Sequence, residues 1–395
     1  MSDAELAVVG ATESANDASK ASAAAYAEWH HAIDTVLNNS VRIPGQPAWI
    51  IVCGYHIGEI ADFCAFSSEF VKAHGHGIIL VARGIHMHVA QMYMHNFLKV
   101  VAVTDQMMTA MLYTSYIPEG RFELDQPISA CWIDRGFRQH DGIRYLSRYA
   151  GRGGISETDL MRLVLRLPWN AKMEAPRISL EWEDQSWQLA RQVGLRVGRS
   201  VLLCPINNTA RKLPDIFWTA VAERLIEQGF AVFTNVGGLS ATNGLATMPI
   251  AGTTAVDLPI HLAISFAHFA GRVITGGNGM SFLMMLARLK SFKITQVFPK
   301  SKNIQEKHSS AGERAPYPVK GAEVMGAFQY LCPELCVDAP FNEFILPFDE
   351  SPEELSRLGR VVADQDIDDP ACIRRYESNG KLFVEEHDDW LRPLT

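Results

Sequence analysis

Residues that can do chemistry are concentrated in three turns, each of which follows an apolar run and leads into a helical pattern. The first turn, Gly54–Glu59, ends on a carboxylate, and Asp62 lies three residues further on, on the same face of the predicted helix. A carboxylate placed here can act as a general base that takes a proton from a hydroxyl group. It also suits the positive end of a helix dipole, which is worth about 0.3–1 kcal/mol. The residue type alone therefore leaves a catalytic and a purely structural role open.

The second turn, Pro205–Pro214, predicts an anion site. It carries small polar residues followed by two cations: Asn207, Asn208, Thr209, Arg211 and Lys212. A helix that begins after this turn has free backbone N–H groups that bind anions, and the cations add charged hydrogen bonds. A diphosphate would suit such a site. An ordinary N-capped helix with solvated basic side chains is the alternative that the turn alone leaves open.

The third turn is rich in glycine and again lies between a strand and a helix. Its residues are Gly276, Gly277, Asn278, Gly279, Met280 and Ser281. Glycine permits positive φ and lets the backbone approach a ligand closely, although such turns also serve tight strand-to-helix packing. The turn around Gly237, after another apolar run, could complete the same pocket. Two anion-binding turns in one unit favour a nucleotide diphosphate.

The elements that position these turns follow an alternating pattern that is typical of parallel sheets. Uninterrupted apolar strands with helices between them indicate a parallel sheet covered on both faces. Ligands of such sheets bind outside the carboxyl ends of the strands, where the three turns lie. The pattern predicts eight main strands in two similar units: Trp49–Cys53, Gly77–Ala82, Leu98–Val103, Ile128–Ile133, Ser200–Cys204, Phe230–Thr234, Val273–Thr275 and Lys293–Phe298. We therefore predict an α/β protein with two Rossmann-like units.

Length and charge support two globular domains and argue against nucleic-acid binding. The chain has 395 residues and a formal net charge of −8, and domains usually contain about 100–200 residues. The last 55 residues hold 14 acidic and 6 basic side chains, which leaves 30 of each sign before residue 341. No basic domain is present to neutralise a phosphate backbone.

The cysteines and the apolar runs bear on compartment and on metals. Seven scattered cysteines suggest a reducing environment. The N-terminus lacks the pattern of a signal peptide, and no apolar run reaches about 18 residues, the length needed for a membrane span. We expect a cytoplasmic protein, with peripheral contact at the inner face of a membrane left open. We expect no metal, although Cys332 and Cys336 leave a metal site as an open question.

In order and spacing, the motifs resemble the heptosyltransferase-type glycosyltransferases, which form family 9 of the GT-B class. The resemblance covers roughly residues 48–300. It rests on Gly58-Glu59-Ile60, Arg211-Lys212-Leu213-Pro214, Gly237-Gly238 and the run from Gly276 to Leu283. The chain departs from the family pattern at four places. Glu59 lies where the family has Asp, and Leu213 where it has Trp. Asn278 lies where the family has an acidic residue, and Phe282 where it has His.

The resemblance implies a GT-B fold with two Rossmann-like domains facing a central cleft. The N-terminal domain, 46–183, would bind the acceptor near Tyr55, His56 and Gly58, and the C-terminal domain, 184–340, would bind the sugar nucleotide. A helical or disordered extension, 1–45, would precede them, and an acidic helical tail, 341–395, would pack back on the N-terminal domain.

The activity that the resemblance implies is metal-independent, inverting sugar transfer in a bacterial surface-glycan context. The donor is a nucleotide-diphosphate sugar, the acceptor is a glycan, lipid or protein hydroxyl, and no cofactor is needed. Glu59 falls on the position of the family's base, with Asp62 as the fallback, and Lys212 on a donor contact. Two alternatives stay open, namely a sugar-nucleotide epimerase of GT-B shape and a degenerate, non-catalytic binding protein.

Overall fold

The structure, a computed structural model, describes fourteen stretches of the chain. They are residues 43–53, 57–108, 130–133, 156–205, 213–236, 248–287, 292–299, 317–318, 332–336, 341–346, 351–368, 375–378, 381–385 and 391–393. The chain forms two compact units. The first unit holds the described residues up to 133 and Thr158–Pro176, and the second holds Ser156, Glu157 and the described residues from Arg177 onward. Of the predicted extension 1–45, residues 1–42 lie outside the described residues.

The first unit is built on a parallel sheet of four described strands in the order β3-β2-β1-β4. Its elements are β1 (Ala48–Cys53), α1 (Ile57–His74), β2 (Gly77–Arg83), α2 (Met87–Gln91), β3 (Phe97–Val103), β4 (Ala130–Ile133) and α3 (Glu157–Val164). Strand β1 is buried along its whole length, as its WIIVC run predicts. The predicted parallel sheet is therefore confirmed for this unit.

One predicted helix is wrong. The pattern of residues 85–97 predicts a single helix, whereas the chain forms the short α2 flanked by 3-10 turns at Gly84–His86 and Met94–Asn96. Tyr93 leaves the helical conformation, is fully buried and donates through its hydroxyl to the carbonyl of Glu174 at 3.3 Å. A tertiary contact has overridden the local helical preference here.

The second unit contains the remaining elements. They are α4 (Leu180–Gln192), β5 (Ser200–Cys204), α5 (Asp215–Glu227), β6 (Ala231–Asn235), β7 (Thr254–Val256), α6 (Ile260–Ala270), β8 (Arg272–Thr275), α7 (Gly279–Leu286), β9 (Lys293–Pro299), β10 (Tyr317–Pro318), α8 (Pro333–Cys336), β11 (Phe341–Leu346), α9 (Pro352–Asp368), β12 (Arg375–Ser378), β13 (Lys381–Glu385) and β14 (Leu391–Pro393). The last three form a separate antiparallel sheet.

The main sheet of the second unit has the order β10-β11-β9-β8-β5-β6-β7. All its pairs are parallel except that of β10 with β11. Counted from β5, the parallel strands run in the spatial order 3-2-1-4-5-6, which is the order of a doubly wound, nucleotide-binding sheet. The chain reverses direction across the sheet between β5 and β8, and this is where such sheets bind ligands.

The described parts of the acidic C-terminal segment pack within the second unit. β11 extends its sheet and α9 lies along α5. The packing of 341–395 back on the N-terminal domain stays a prediction. Leu355, Leu358 and Val362 of α9 are buried, and Val362 lies in one apolar cluster with Phe217 and Trp218 of α5. Gly359 approaches the α5 backbone so closely that an added Cβ would lie 2.5 Å from the carbonyl oxygen of Phe217. The apolar face of α9 is therefore satisfied within its own unit.

A buried ionic cluster anchors the end of α9. Asp366 is fully buried, and its Oδ2 accepts from Arg272 at 3.0 Å while its Oδ1 accepts from the hydroxyl of Thr295 at 2.5 Å. The ammonium group of Lys293, also fully buried, donates to the carbonyl oxygen of Asp366 at 3.1 Å. Both cations lie at the first residues of their strands, so the cluster sits at the amino edge of the sheet and outside any expected substrate site.

Candidate functional site

The carboxyl edge of the first sheet brings Glu59 and Asp62 together with two thiols. Asp62 is buried, Glu59 is half-buried, and one carboxylate oxygen of each has no contact with solvent. Burial raises the pKa of the Cys53 thiol well above its usual value, and Cys64, Glu59 and Asp62 raise it further in that order. The influence of both carboxylates on Cys53 indicates that they lie near the end of β1. Cys53 and Cys64, whose pKa is also raised by burial, stay protonated and are poor nucleophiles.

Gly58, which we predicted on the acceptor side, lies in the first turn of α1. A Cβ added to it would meet no atom of the described residues within 4 Å, so packing against those residues does not require glycine there. The other two residues predicted for this side, Tyr55 and His56, lie outside the described residues.

The glycine-rich turn of the second unit follows β8 and is shaped by glycine. The amide of Gly276 donates to the carbonyl oxygen of Cys204 at 3.2 Å, which ties the turn to the end of β5. Gly277 has φ +71°, and a Cβ there would lie 2.6 Å from the ring of Phe298. Both the backbone angle and the ring therefore exclude a larger residue. The sequence signal of closely spaced glycines here reflects a real backbone requirement.

A capping box closes this turn onto α7. The side-chain oxygen of Asn278 accepts from the amide of Ser281 at 2.9 Å, and the amide of Asn278 donates to the hydroxyl of Ser281 at 3.1 Å. No described residue accepts a hydrogen bond from the amides of Gly279 and Met280, which are the first two of the helix. The amino end of α7 thus presents two amides to an anion, and the dipole of the helix favours it.

A buried polar chain supports the capping box from inside the sheet. The hydroxyl of Ser281 lies 2.8 Å from Oε1 of Gln296, and Nε2 of Gln296 donates to Oε1 of Glu343 at 3.0 Å. All three side chains are at least 96% buried. The carboxylate fixes the amide orientation of Gln296, so its oxygen faces Ser281. Glu343 in β11 and Gln296 in β9 therefore hold the position of the first turn of α7.

We expect Gln296→Met to weaken binding of a nucleotide ligand about tenfold, as loss of a hydrogen bond worth about 1.5 kcal/mol predicts. The substitution keeps the volume but removes both hydrogen bonds to Ser281 and Glu343. Affinity is measured by calorimetric titration with the best nucleotide sugar of a donor panel.

Ser200→Ala is the matched control for this prediction. It also removes a buried hydrogen bond, from the Ser200 hydroxyl to the carbonyl of Arg196 at 2.7 Å, but at the amino edge of the same sheet. It should lower stability and leave nucleotide affinity unchanged. Equal losses of affinity in the two variants would mean that Gln296 acts only through general stability.

The end of β6 is tied to the same region by Asn235. Its amide group donates to the carbonyl of Leu258 at 3.3 Å and accepts from the amide of Leu258 at 3.1 Å. The nitrogen also lies 3.9 Å from the sulfur of Met280 in the first turn of α7. The β6 end and the α7 start are therefore neighbours. Gly237, predicted to complete this pocket, lies outside the described residues.

The turn predicted to bind the diphosphate together with α7 is Asn207–Lys212. Its members Asn207, Asn208, Thr209, Arg211 and Lys212 all lie outside the described residues. The strands that precede the two turns are hydrogen-bonded neighbours, because Cys204 at the end of β5 pairs with Thr275 at the end of β8. Both turns leave the same edge of one sheet.

Sequence reasoning missed Gln296 and Glu343. The available signal was one polar residue within each of two otherwise apolar strands. The sequence spacing between Gln296 and Glu343 gives no indication that they are in contact.

Within the described stretches, no group of three or more His, Cys, Asp or Glu side chains is arranged to hold a metal ion. Cys336 donates to the carbonyl of Cys332 at 3.6 Å. Nor is any described helix long and apolar enough to cross a membrane.

Comparison with known proteins gives structural neighbours but no sequence family. The sequence matches no protein-family profile and no characterised protein. Similar solved structures include those of three glycosyltransferases. A family 9 glycosyltransferase from Veillonella parvula has 13% identity over 84% of this chain and 97% of its own, with a TM-score of 0.49.

The other two neighbours are from E. coli. The ADP-heptose lipopolysaccharide heptosyltransferase II has 11% identity over 81% of this chain and 99% of its own, with a TM-score of 0.46. The iron-containing dodecameric glycosyltransferase TibC has 12% identity over 83% of this chain and 77% of its own, with a TM-score of 0.43. The strand orders within this chain define both units as Rossmann-like α/β units, the building blocks that the resemblance to the GT-B class implies.

Proposed function

We propose that the protein is an inverting glycosyltransferase that moves a sugar from a nucleotide-diphosphate sugar to a hydroxyl group. The observation that carries the proposal is the amino end of α7, where a capped, glycine-shaped turn presents two amides at the ligand-binding edge of a doubly wound sheet. The order of the sequence motifs supports it, and so does the pair of shielded carboxylates at the corresponding edge of the first sheet.

In the proposed reaction the acceptor oxygen attacks the anomeric carbon as the bond from that carbon to the diphosphate breaks. Glu59 takes the proton of the attacking hydroxyl, and the nucleoside diphosphate leaves with the bonding electron pair. The amides of Gly279 and Met280, together with Arg211 and Lys212, stabilise the charge that develops on the diphosphate. These groups supply the positive charge, so the reaction as proposed needs no metal ion and no cofactor.

The donor is best identified by a thermal-shift panel of ADP-, GDP-, UDP-, CMP- and dTDP-sugars. ADP-heptose belongs in the panel because it is the ligand in one solved structure of TibC. A ligand at a hundredfold excess over its Kd stabilises the folded state by about 2.7 kcal/mol. One nucleotide class should stabilise the protein clearly above the rest. A flat response across the whole panel would refute the proposal.

Lys212→Ala should weaken binding of that donor by about 1.5–3 kcal/mol, the range for a hydrogen bond to a charged group. The family resemblance assigns this lysine to the donor. Calorimetric titration gives the affinities, and Lys172→Ala, which removes an exposed lysine of the first unit, is the control. Unchanged affinity in Lys212→Ala would remove this residue from the donor site.

Two alternatives to a transferase predict different outcomes of incubation with a nucleotide sugar. An epimerase would change the sugar of a nucleotide sugar without an acceptor, so incubation of the protein with UDP-GlcNAc alone separates it from a transferase. A non-catalytic binding protein is favoured by Asn278, which replaces the family's acidic residue and uses its side chain to cap α7. Measurable hydrolysis or transfer of a nucleotide sugar would exclude that alternative.

The acceptor and the location belong to the proposal as well. The acceptor is a glycan, a lipid-linked sugar or a protein hydroxyl, and we place the reaction in the cytoplasm, with contact at the inner face of the membrane left open. Fractionation of cells that express the tagged protein tests the location, and mass spectrometry of glycans, lipids and proteins after incubation with labelled donor identifies the acceptor class.

A further inference from the structure

A carboxylate from the C-terminal part of the chain lies behind the glycine-rich turn, inside the sheet. Glu343 in β11 is the register partner of Gln296 in β9, so their side chains lie next to each other on one face of the sheet. Nε2 of Gln296 donates to Oε1 of Glu343 at 3.0 Å, and Glu343 is only 4% exposed. The resemblance to known transferases does not reach β11, so it assigns no role to Glu343.

The carboxylate of Glu343 fixes the direction of the hydrogen bonds that reach α7. A carboxylate only accepts hydrogen bonds, so it holds the NH2 group of Gln296 and turns the amide oxygen toward Ser281. The Ser281 hydroxyl lies 2.8 Å from this oxygen and 2.7 Å from the carbonyl oxygen of Asn278. In this orientation Ser281 links the first turn of α7 to β9.

Loss of the carboxylate would break this link. The NH2 group of Gln296 would be buried without its acceptor, which is costly, so the side chain would turn and its oxygen would leave Ser281. The first turn of α7 would then lose its support from the sheet. The amides of Gly279 and Met280 would no longer be held in one position, and a helix N-terminus binds an anion best when its amides are preorganised.

We propose that Glu343 is a positioning residue for the anionic part of the donor, and that it acts through Gln296 on the amides that begin α7. The inference rests on the proposed function, in which those amides bind the diphosphate. Coupling of two sites is reciprocal, so an anion bound at α7 also stabilises β11 in the sheet. A strand of the acidic C-terminal segment therefore tunes the donor site from behind.

Calorimetric titration of the full chain with inorganic pyrophosphate tests the proposal, because this anion depends on no particular base or sugar. Glu343→Met should weaken its binding about five- to tenfold, as the loss of one hydrogen bond to a charged group predicts. A double variant that also carries Gln296→Met should bind no more weakly than Gln296→Met alone, because both changes break the same chain of hydrogen bonds.

Asn342→Ala is the matched control. It changes the preceding residue of β11, whose side chain points to the opposite face of the sheet, and it should bind pyrophosphate as the parent does. Glu343→Gln keeps the volume and one acceptor oxygen but no longer excludes the reversed orientation of Gln296. Its affinity should lie between those of the parent and Glu343→Met, and it serves in place of Glu343→Met if that variant fails to fold.

Hydrogen exchange of the β11 amides, residues 341–346, gives a readout that a purely structural role would not change. Bound pyrophosphate should slow this exchange in the parent by a factor of about five to ten, equal to the loss of affinity in Glu343→Met, because the coupling is reciprocal. In Glu343→Met the exchange of β11 should not respond to pyrophosphate.

Three results would overturn the positioning role. They are a parent that binds no pyrophosphate, parental affinity in Glu343→Met, and losses of the two single variants that add in the double variant. Tighter binding by Glu343→Gln would also refute it, because the charge would then act by repelling the anion.

The proposed function and the positioning role can fail separately. Pyrophosphate binding that depends on Glu343, in a protein that transfers no sugar from any nucleotide sugar, refutes the transferase proposal alone. Sugar transfer by a protein whose pyrophosphate affinity does not depend on Glu343 refutes the positioning role alone.

Discussion

Glu59→Gln should lower the turnover of sugar transfer by about 10²–10⁴-fold, the usual contribution of a general base. The amide keeps the shape of the side chain but cannot accept the proton of the acceptor hydroxyl. Donor affinity should stay within about twofold of the parent, because the donor is proposed to bind the second unit. A twofold change in Kd corresponds to about 0.4 kcal/mol of binding free energy. Turnover is measured at saturating donor, and donor affinity by titration.

Two further variants on the same helix show whether the loss of turnover is specific to Glu59. Glu69→Gln removes a half-buried carboxylate that pairs with Lys72 at 2.6 Å, and it should leave turnover at the parental level. Asp62→Asn tests the second carboxylate near Cys53. If turnover collapses in Asp62→Asn and not in Glu59→Gln, Asp62 is the base. Parental turnover in both variants would contradict a carboxylate base at this edge.

Asp366→Ala should lower the free energy of unfolding of the second unit by about 3–5 kcal/mol, the range for removing one partner of a buried ion pair. Arg272 and Lys293 would be left buried without the carboxylate that lies 3.0 Å from Arg272 and 3.9 Å from Lys293. The comparison is Asp364→Ala, two residues earlier on α9, whose carboxylate is 43% exposed and pairs with Arg224 at 2.6 Å. That change should cost about 1 kcal/mol or less.

Urea unfolding followed by far-UV circular dichroism measures both variants. The midpoint of Asp366→Ala should fall far below that of the parent, with the slope of the transition unchanged. Equal midpoints for the two variants would mean that the buried cluster does not anchor α9.

The main strands were predictable because each is an uninterrupted apolar run, and in a doubly wound sheet both faces are buried. Ser200–Cys204 was predicted with its observed bounds. The strand Thr254–Val256 was missed because it has three residues and two of them are exposed. The strand Phe341–Leu346 was missed because it lies in an acidic segment whose composition suggested a tail. Its Glu343 is nevertheless buried against Gln296.

The candidate site was predictable only in its local parts. The glycine-rich turn was visible because Gly277 needs a positive φ, which is a local backbone property. The support from Gln296 and Glu343 depends on strands that are 47 residues apart in sequence, so no spacing rule indicates it.

The most direct test of the central claim is the fate of the donor sugar. The protein is incubated with the nucleotide sugar that stabilises it best and with a mixture of phosphorylated and neutral sugars, and products are followed by NMR spectroscopy. The account predicts release of the nucleoside diphosphate together with a glycoside of inverted anomeric configuration, both greatly reduced in Glu59→Gln. Retention of configuration, an altered sugar still attached to its nucleotide, or equal product from Glu59→Gln and the parent would contradict it.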